Sequence, residues 1–149
     1  MKAAELCIRD VVTARPEESV VDAARRMADQ GVGDLVVIDD ADGMVRPIGI
    51  VTDRDLVTRA LAHGMMGLTL REVMRANLVT AVEDDDVDVV LIKLKRHAIR
   101  RVPVVNTRGG LEGIITFDDV IAWITEQMNG AATLLDRQAR ASTGAARVS

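Results

Sequence analysis

The stretch GIVTDRDL (residues 49–56) is written a second time as GIITFDDV (residues 113–120). Each copy has a glycine, two aliphatic residues, a threonine, two variable positions, an aspartate and an aliphatic. The apolar run reads as a strand, and Thr-x-x-Asp reads as the start of the helix that follows it. A threonine hydroxyl can accept from the N–H three residues on while the aspartate reaches back to the threonine N–H. This is a capping box, with Asp in place of the more usual Glu or Gln. An acid in the first turn also suits the helix dipole. Capping alone accounts for one copy. Two copies, each directly after a strand, point to a second use. Such a helix start offers N–H groups to a phosphate, and an aspartate can hold a ribose diol.

The repetition extends well beyond the motif. Shifting residues 11–38 onto residues 78–105 places Thr13 on Thr80, Ala14 on Ala81, Val20 on Val87, Met27 on Leu94 and Leu35-Val36-Val37 on Val102-Pro103-Val104. A small difference in loop length then brings Gly49, Thr52 and Asp55 onto Gly113, Thr116 and Asp119. Long segments aligned in order establish an internal duplication more firmly than a short motif does.

Each copy reads β-α-β-β-α. In the first, a short strand near Val11-Val12-Thr13 precedes Pro16 and an N-cap at Ser19. Val20, Ala23, Ala24, Met27 and Ala28 follow helical spacing, as do Val87, Val90, Leu91 and Leu94 in the second copy. Gly31 ends the first helix. Strands are expected at Leu35–Ile38 and Ile48–Val51, around a polar loop with Asp39-Asp40 and Asp42-Gly43. The second helices are expected near residues 53–62 and 118–128. Thr69-Leu70-Arg71-Glu72 has the form of a capping box opening a linking helix. A unit of about sixty residues is marginal alone, so the expected fold is α/β (α+β), two repeats packed sheet to sheet with pseudo-twofold symmetry. The domain reading is residues 1–66 for repeat 1 with an N-terminal lead-in and 67–129 for repeat 2 with the linking helix. Residues 130–149, rich in Ala, Ser, Arg and Gly, are expected to be a mostly disordered tail, with a helical extension over 133–140 as the alternative.

Composition narrows the function. Phe117 and Trp123 are the only aromatic residues, which disfavours nucleic-acid binding by base stacking. A net charge of −4 gives no attraction to nucleic acid or an anionic membrane. The single cysteine, Cys7, allows no intrachain disulfide and reads as a small apolar core residue. No apolar run approaches the length of a membrane span, and MKAAELCIRD lacks the apolar centre of a signal peptide. A cytoplasmic location is expected.

The duplicated Thr-Ala, the strands DLVVI and RVPVV, and the turns GIVTDRDL and GIITFDDV resemble a tandem cystathionine-β-synthase (CBS) domain pair over about residues 5–128. Without an attached enzyme or channel domain, the chain resembles a stand-alone bacterial CBS-domain protein. The resemblance implies clefts between the repeats that take AMP, ADP, ATP or S-adenosylmethionine. It implies that Asp55 with Thr52, and Asp119 with Thr116, hold ribose and phosphate, and that Thr13 and Thr80 lie beside the adenine. Ile50, Ile114 and Val102 would sandwich the base in place of aromatics. It also implies that Arg100 and Arg101 reach across the pseudo-twofold axis to phosphates at Thr52 and Asp55. Gly33 and Asp34, at the aligned positions, would face Thr116 and Asp119, where an acid repels phosphate.

No catalytic constellation is legible, and the chain reads as a non-enzyme. His63 and His97 share no ligand spacing with other His or Cys residues, and the acidic run at residues 83–88 reads as helix-start charge rather than a metal site. The leading expectation is a regulatory module that senses an adenosyl metabolite and acts on a protein target that the sequence does not identify. The alternative is a constitutive oligomerisation module with vestigial clefts. A homodimer is expected through apolar faces at Leu56, Val57 and Leu61 and at Val120, Ile121, Trp123 and Ile124.

Overall fold

Two three-stranded sheets are built in the same way from the two halves of the chain. The computed structural model describes residues 1–146. A short lead-in helix, α1 (Ala3–Leu6), comes first. Repeat 1 then runs β1 (Thr13–Ala14), α2 (Val20–Gln30), β2 (Asp34–Asp39), β3 (Arg46–Thr52) and α3 (Asp53–Arg59), closed by a 3-10 turn at Leu61–His63. The linking helix α4 (Leu70–Val73) leads to β4 (Ala81–Val82), α5 (Val87–His97), β5 (Arg101–Val105), β6 (Leu111–Thr116) and α6 (Phe117–Ala146). In both sheets the first strand pairs parallel with the second and the second antiparallel with the third. The register even slips at the equivalent place, between Val37 and Ile38 and between Val104 and Val105.

Alternation along the strands divides the apolar residues between three cores. Leu35, Val37 and Val51 turn toward the helices of repeat 1, with Val20, Met27 and Leu56. Val102, Val104 and Ile115 do the same in repeat 2, with Val87, Val90, Leu94 and Val120. The intervening residues Val36, Ile38 and Ile50 meet Ile114 in a third cluster between the sheets. Each fully buried aliphatic side chain contributes about 1.5–3 kcal/mol, so the interface between repeats is an integral part of the fold.

The caps follow the sequence. The Ser19 hydroxyl accepts from Asp22 N–H at 3.1 Å, Gly31 closes α2 in the left-handed region at φ 64°, and Thr69 forms its box with Glu72. The two short helices, however, are exchanged. Ala3, Leu6 and Cys7 pack on the core of repeat 2, whereas Leu70, Val73 and Met74 pack on repeat 1. Ala3 N–H donates to Asp85 C=O at 2.8 Å, and its counterpart Leu70 N–H to Glu18 C=O at 2.9 Å. In space each repeat is therefore completed by the other's lead-in.

The expected disordered tail is instead helical through Ala146; residues 147–149 lie outside the described residues. Residues 126–145 are all exposed, so this part of the helix adds nothing to the core. The packed turns at Val120–Ile124 supply the costly nucleus, after which an alanine-rich sequence continues at little cost. Asp136 and Arg140 add an i,i+4 pair at 3.1 Å. The helix also passes through Gly130, where a stop was expected.

Candidate functional site

The two glycines of the duplicated motif are required by the crossing of the lead-in segments. A Cβ on Gly113 would lie 2.6 Å from Cys7 Sγ and 2.7 Å from Ile8 C=O. A Cβ on Gly49 would lie 2.7 Å from Met74 Sδ and 3.3 Å from Arg75 C=O. Ile8 and Arg75 thus occupy equivalent places, bridging to Ile114 and Ile50.

The threonines and aspartates form reciprocal caps. Asp55 N–H donates to Thr52 Oγ1 at 3.1 Å and Thr52 N–H to Asp55 Oδ2 at 3.0 Å. In repeat 2 the corresponding distances are 3.2 and 2.7 Å, and the Thr116 hydroxyl also lies 2.8 Å from Asp119 Oδ2. Asp55, 2% exposed, is the one charged residue that is fully buried among the described residues. Its second oxygen, Oδ1, lies 3.5 Å from Arg75 Nε and 3.9 Å from Arg59 Nε. Capping uses one oxygen and leaves the other to the two arginines.

That cleft, about 340 Å³, opens between the repeats and is lined by Ile50, Thr52, Asp55, Arg75, Arg100 and Arg101, among others. It brings together four of the expected site residues: Thr52, Asp55, Arg100 and Arg101. Arg101 Nη1 is also ion-paired with Asp34, its aligned counterpart in repeat 1. Arg100 is more exposed and lies 3.2 Å from Asp118. Thr116 and Asp119 sit at the equivalent edge of repeat 2 and do not line this cleft. There Ile8 replaces Arg75, and Gly33 and Asp34 replace Arg100 and Arg101.

Thr13 and Thr80 lie outside the cleft. Their carbonyls instead accept from Arg26 Nη1 at 2.6 Å and Lys93 Nζ at 3.1 Å. The same cations reach Glu18 and Asp85, an internal pairing repeated in both halves. Asp85 illustrates the electrostatics: partial burial raises its pKa, but the Lys93 ammonium and Val82 N–H outweigh this and hold it below the ordinary carboxylate value. Val102 does not flank the cleft either, because strand parity turns it into the core of repeat 2. Ile50 does line it, and Ile114 lies in the cluster between the sheets.

Sequence reasoning missed Arg75. The signal was the repeat alignment itself, which sets Arg75 opposite Ile8 beside the motif's glycine, but a single arginine after a short helix has no periodicity to mark it. His63 and His97 are exposed, at the ends of their helical segments. Cys7 is half-buried rather than fully buried, and burial raises its pKa. Among the described residues no helix is long and apolar enough to cross a membrane.

Comparison with known proteins agrees with this architecture. The sequence profile of the CBS domain matches residues 3–62 and 70–126. Protein MK0525 of Methanopyrus kandleri is 34% identical over 119 residues, which are 78% of this chain and 59% of that protein. The chain thus spans less than two thirds of that relative's length. Among solved structures, the CBS domain pair of protein MJ0100, in complex with 5-methylthioadenosine and S-adenosyl-L-methionine, superposes with a TM-score of 0.74 at 29% identity, covering 85% of this chain and 98% of that one. CBS domain protein PAE2072 from Pyrobaculum aerophilum, complexed with AMP, gives 0.72 at 28% identity, covering 80% and 89%.

Proposed function

The chain belongs to the CBS domain family as a tandem pair, a regulatory rather than catalytic unit, and from that premise we propose that it binds an adenine nucleotide or related adenosyl metabolite between its repeats. The observation that carries this reading is the Asp55 carboxylate. It is buried and fixed through Oδ2 to Thr52, while Oδ1 lies 3.5 Å from Arg75, one of the arginines that line an open cleft. A carboxylate held in this way is placed to accept hydrogen bonds from a ribose diol, and the arginines are placed to take phosphate. Thr52, Asp55, Arg100 and Arg101 are the principal binding residues in this proposal, with Arg75 added by the geometry. Thr116 and Asp119 serve a second, weaker cleft. Relatives solved with 5-methylthioadenosine, S-adenosyl-L-methionine and AMP support the ligand class.

Regulation needs a surface through which occupancy is read, and the proposal includes a homodimer. Leu56 and Val120 are buried within their own repeats, and Trp123 and Ile124 pack partly there, so they are not the free face. Val57, Leu61 and Ile121 remain exposed. Val57, Leu61 and Met66 border an apolar groove of about 450 Å³ between α2 and α3.

Thermal denaturation with AMP, ADP, ATP and S-adenosylmethionine tests the reading, because a ligand that binds only the native state raises its stability. At least one compound should raise Tm in a concentration-dependent way, with the shift lost in Asp55→Ala. The absence of any shift would leave the constitutive oligomerisation module as the better account. Light scattering should give a dimer mass.

A further inference from the structure

The cleft carries charge opposite to that of the chain. Its lining holds four guanidinium groups, Arg54, Arg75, Arg100 and Arg101, and two carboxylates, Asp53 and Asp55. Four positive and two negative charges give +2, in a protein whose formal net charge is −4. Cations gathered on a concave protein wall focus their field into the space they enclose. An anion is attracted there, and a cation such as a sulfonium is repelled.

Two of these cations are already engaged by acids outside the lining, which offset part of that charge in the empty cleft: Arg100 lies 3.2 Å from the exposed Asp118, and Arg101 pairs with the more buried Asp34. Asp34 is placed by β2, where its backbone is in register with Thr52, and its carboxylate binds Arg101 Nη1. The two side chains are 20% and 29% exposed, so salt screens their interaction only partly. They occupy the same position in the two repeats. The contact therefore exists because one duplicated position has become acidic in the first copy and basic in the second. A guanidinium has five donors, and a phosphate approaching Arg101 meets the field of Asp34 at the same group.

Resting on the adenosyl-ligand reading above, we propose that the cleft selects a multiply phosphorylated nucleotide over an uncharged or sulfonium-bearing adenosyl compound, and that Asp34 is an internal anion competing with the ligand's phosphates for Arg101. Asp34 lowers the affinity it would otherwise allow, most strongly for the most highly charged ligand. Because it also satisfies Arg101 in the empty protein, it stabilises the ligand-free state.

Calorimetry on the full chain, at low and high salt, tests this with ATP, AMP, adenosine and S-adenosylmethionine. The wild type should bind ATP more tightly than AMP, and both more tightly than adenosine or S-adenosylmethionine, with salt weakening ATP most. Asp34→Asn should tighten ATP about three- to tenfold, tighten AMP less and leave adenosine unchanged, while lowering the Tm of the ligand-free protein. The gain should vanish when Arg101→Gln is added, which a merely structural role for Asp34 would not produce. S-adenosylmethionine or adenosine binding as tightly as ATP without salt dependence would overturn the inference while leaving the adenosyl site standing. So would an Asp34→Asn protein whose ATP affinity is unchanged or weaker. Failure of all four compounds to bind would overturn both. The ligand order and salt dependence of the wild type decide the selectivity even if Asp34→Asn does not fold, and Asp34→Ser then reads the competition for Arg101 in the same assay.

Discussion

Arg75 and Asp55 face each other at the rim of the cleft, 3.5 Å from Nε to Oδ1, although one follows the linking helix and the other opens α3. The contact joins the segment that crosses Gly49 to the acid that caps the next helix. Arg75→Ala should therefore act twice. It should weaken a phosphorylated ligand several-fold in calorimetry. It should also lower stability in urea denaturation by about 1 kcal/mol or less, since the arginine is largely exposed and screened.

The two aspartates of the repeated motif should separate structural from ligand effects. Asp55→Ala and Asp119→Ala each remove a reciprocal cap, and each should cost about 1 kcal/mol in denaturant unfolding. Only Asp55→Ala should abolish the tighter nucleotide site, because Arg75, Arg100 and Arg101 gather on its side alone. Equal loss of that site in both variants, measured by calorimetry, would contradict the asymmetry.

The motif glycines should differ in tolerance. Alanine at Gly113 would press on the Ile8 carbonyl at 2.7 Å, a backbone atom that moves only with its chain. Alanine at Gly49 meets chiefly the flexible end of Met74. Gly113→Ala should therefore cost about 2 kcal/mol, within the usual overpacking range, and Gly49→Ala clearly less, as read by chemical denaturation.

Ala98 caps α5 in the left-handed region at φ 51°, the position that Gly31 fills in repeat 1. A side chain there costs about 1 kcal/mol. Ala98→Gly should recover part of that and raise Tm by a few degrees in a calorimetric scan. Because Ala98 also lines the cleft, nucleotide affinity in the same variant reports whether the turn's rigidity matters for binding.

Asp85 gives an acid-limb prediction. Its folded pKa is depressed, so its stabilising contribution is complete above its unfolded value, about 3.9, and is lost as pH falls through the lower folded value. Asp85→Asn should be less stable than wild type at neutral pH. The two should converge as pH falls through the depressed folded value, as measured by urea denaturation across the acid range.

Much of the fold was legible because duplication doubled every weak signal. Strand parity, the Ser19 and Thr69 caps and the Gly31 stop are local effects, readable wherever a pattern repeats. The cleft was legible in part for the same reason, since aligning Gly33-Asp34 with Arg100-Arg101 marked the asymmetry. What escaped depends on geometry between distant segments. Strand pairing sent Val102 inward, the exchange of lead-ins brought Arg75 to Asp55, and Asp34 met Arg101 across the axis. Helical continuation beyond Met128 escaped for another reason: alanine-rich sequence needs no burial once a packed turn has nucleated it.

The exchanged lead-in helices also set an order of events during synthesis. The chain emerges from its N-terminus at about 5–20 residues per second, and repeat 1 has its full complement only once Leu70 and Val73 have appeared. The lead-in made first waits longest, because its contacts lie in repeat 2; Arg9 and Glu112, which pair at 2.9 Å, are 103 residues apart. A nascent chain paused after Val73 therefore holds a nearly finished first half with an unclaimed apolar handle, Ala3, Leu6 and Cys7. Such a handle favours capture by the second half of another chain whenever its own is delayed.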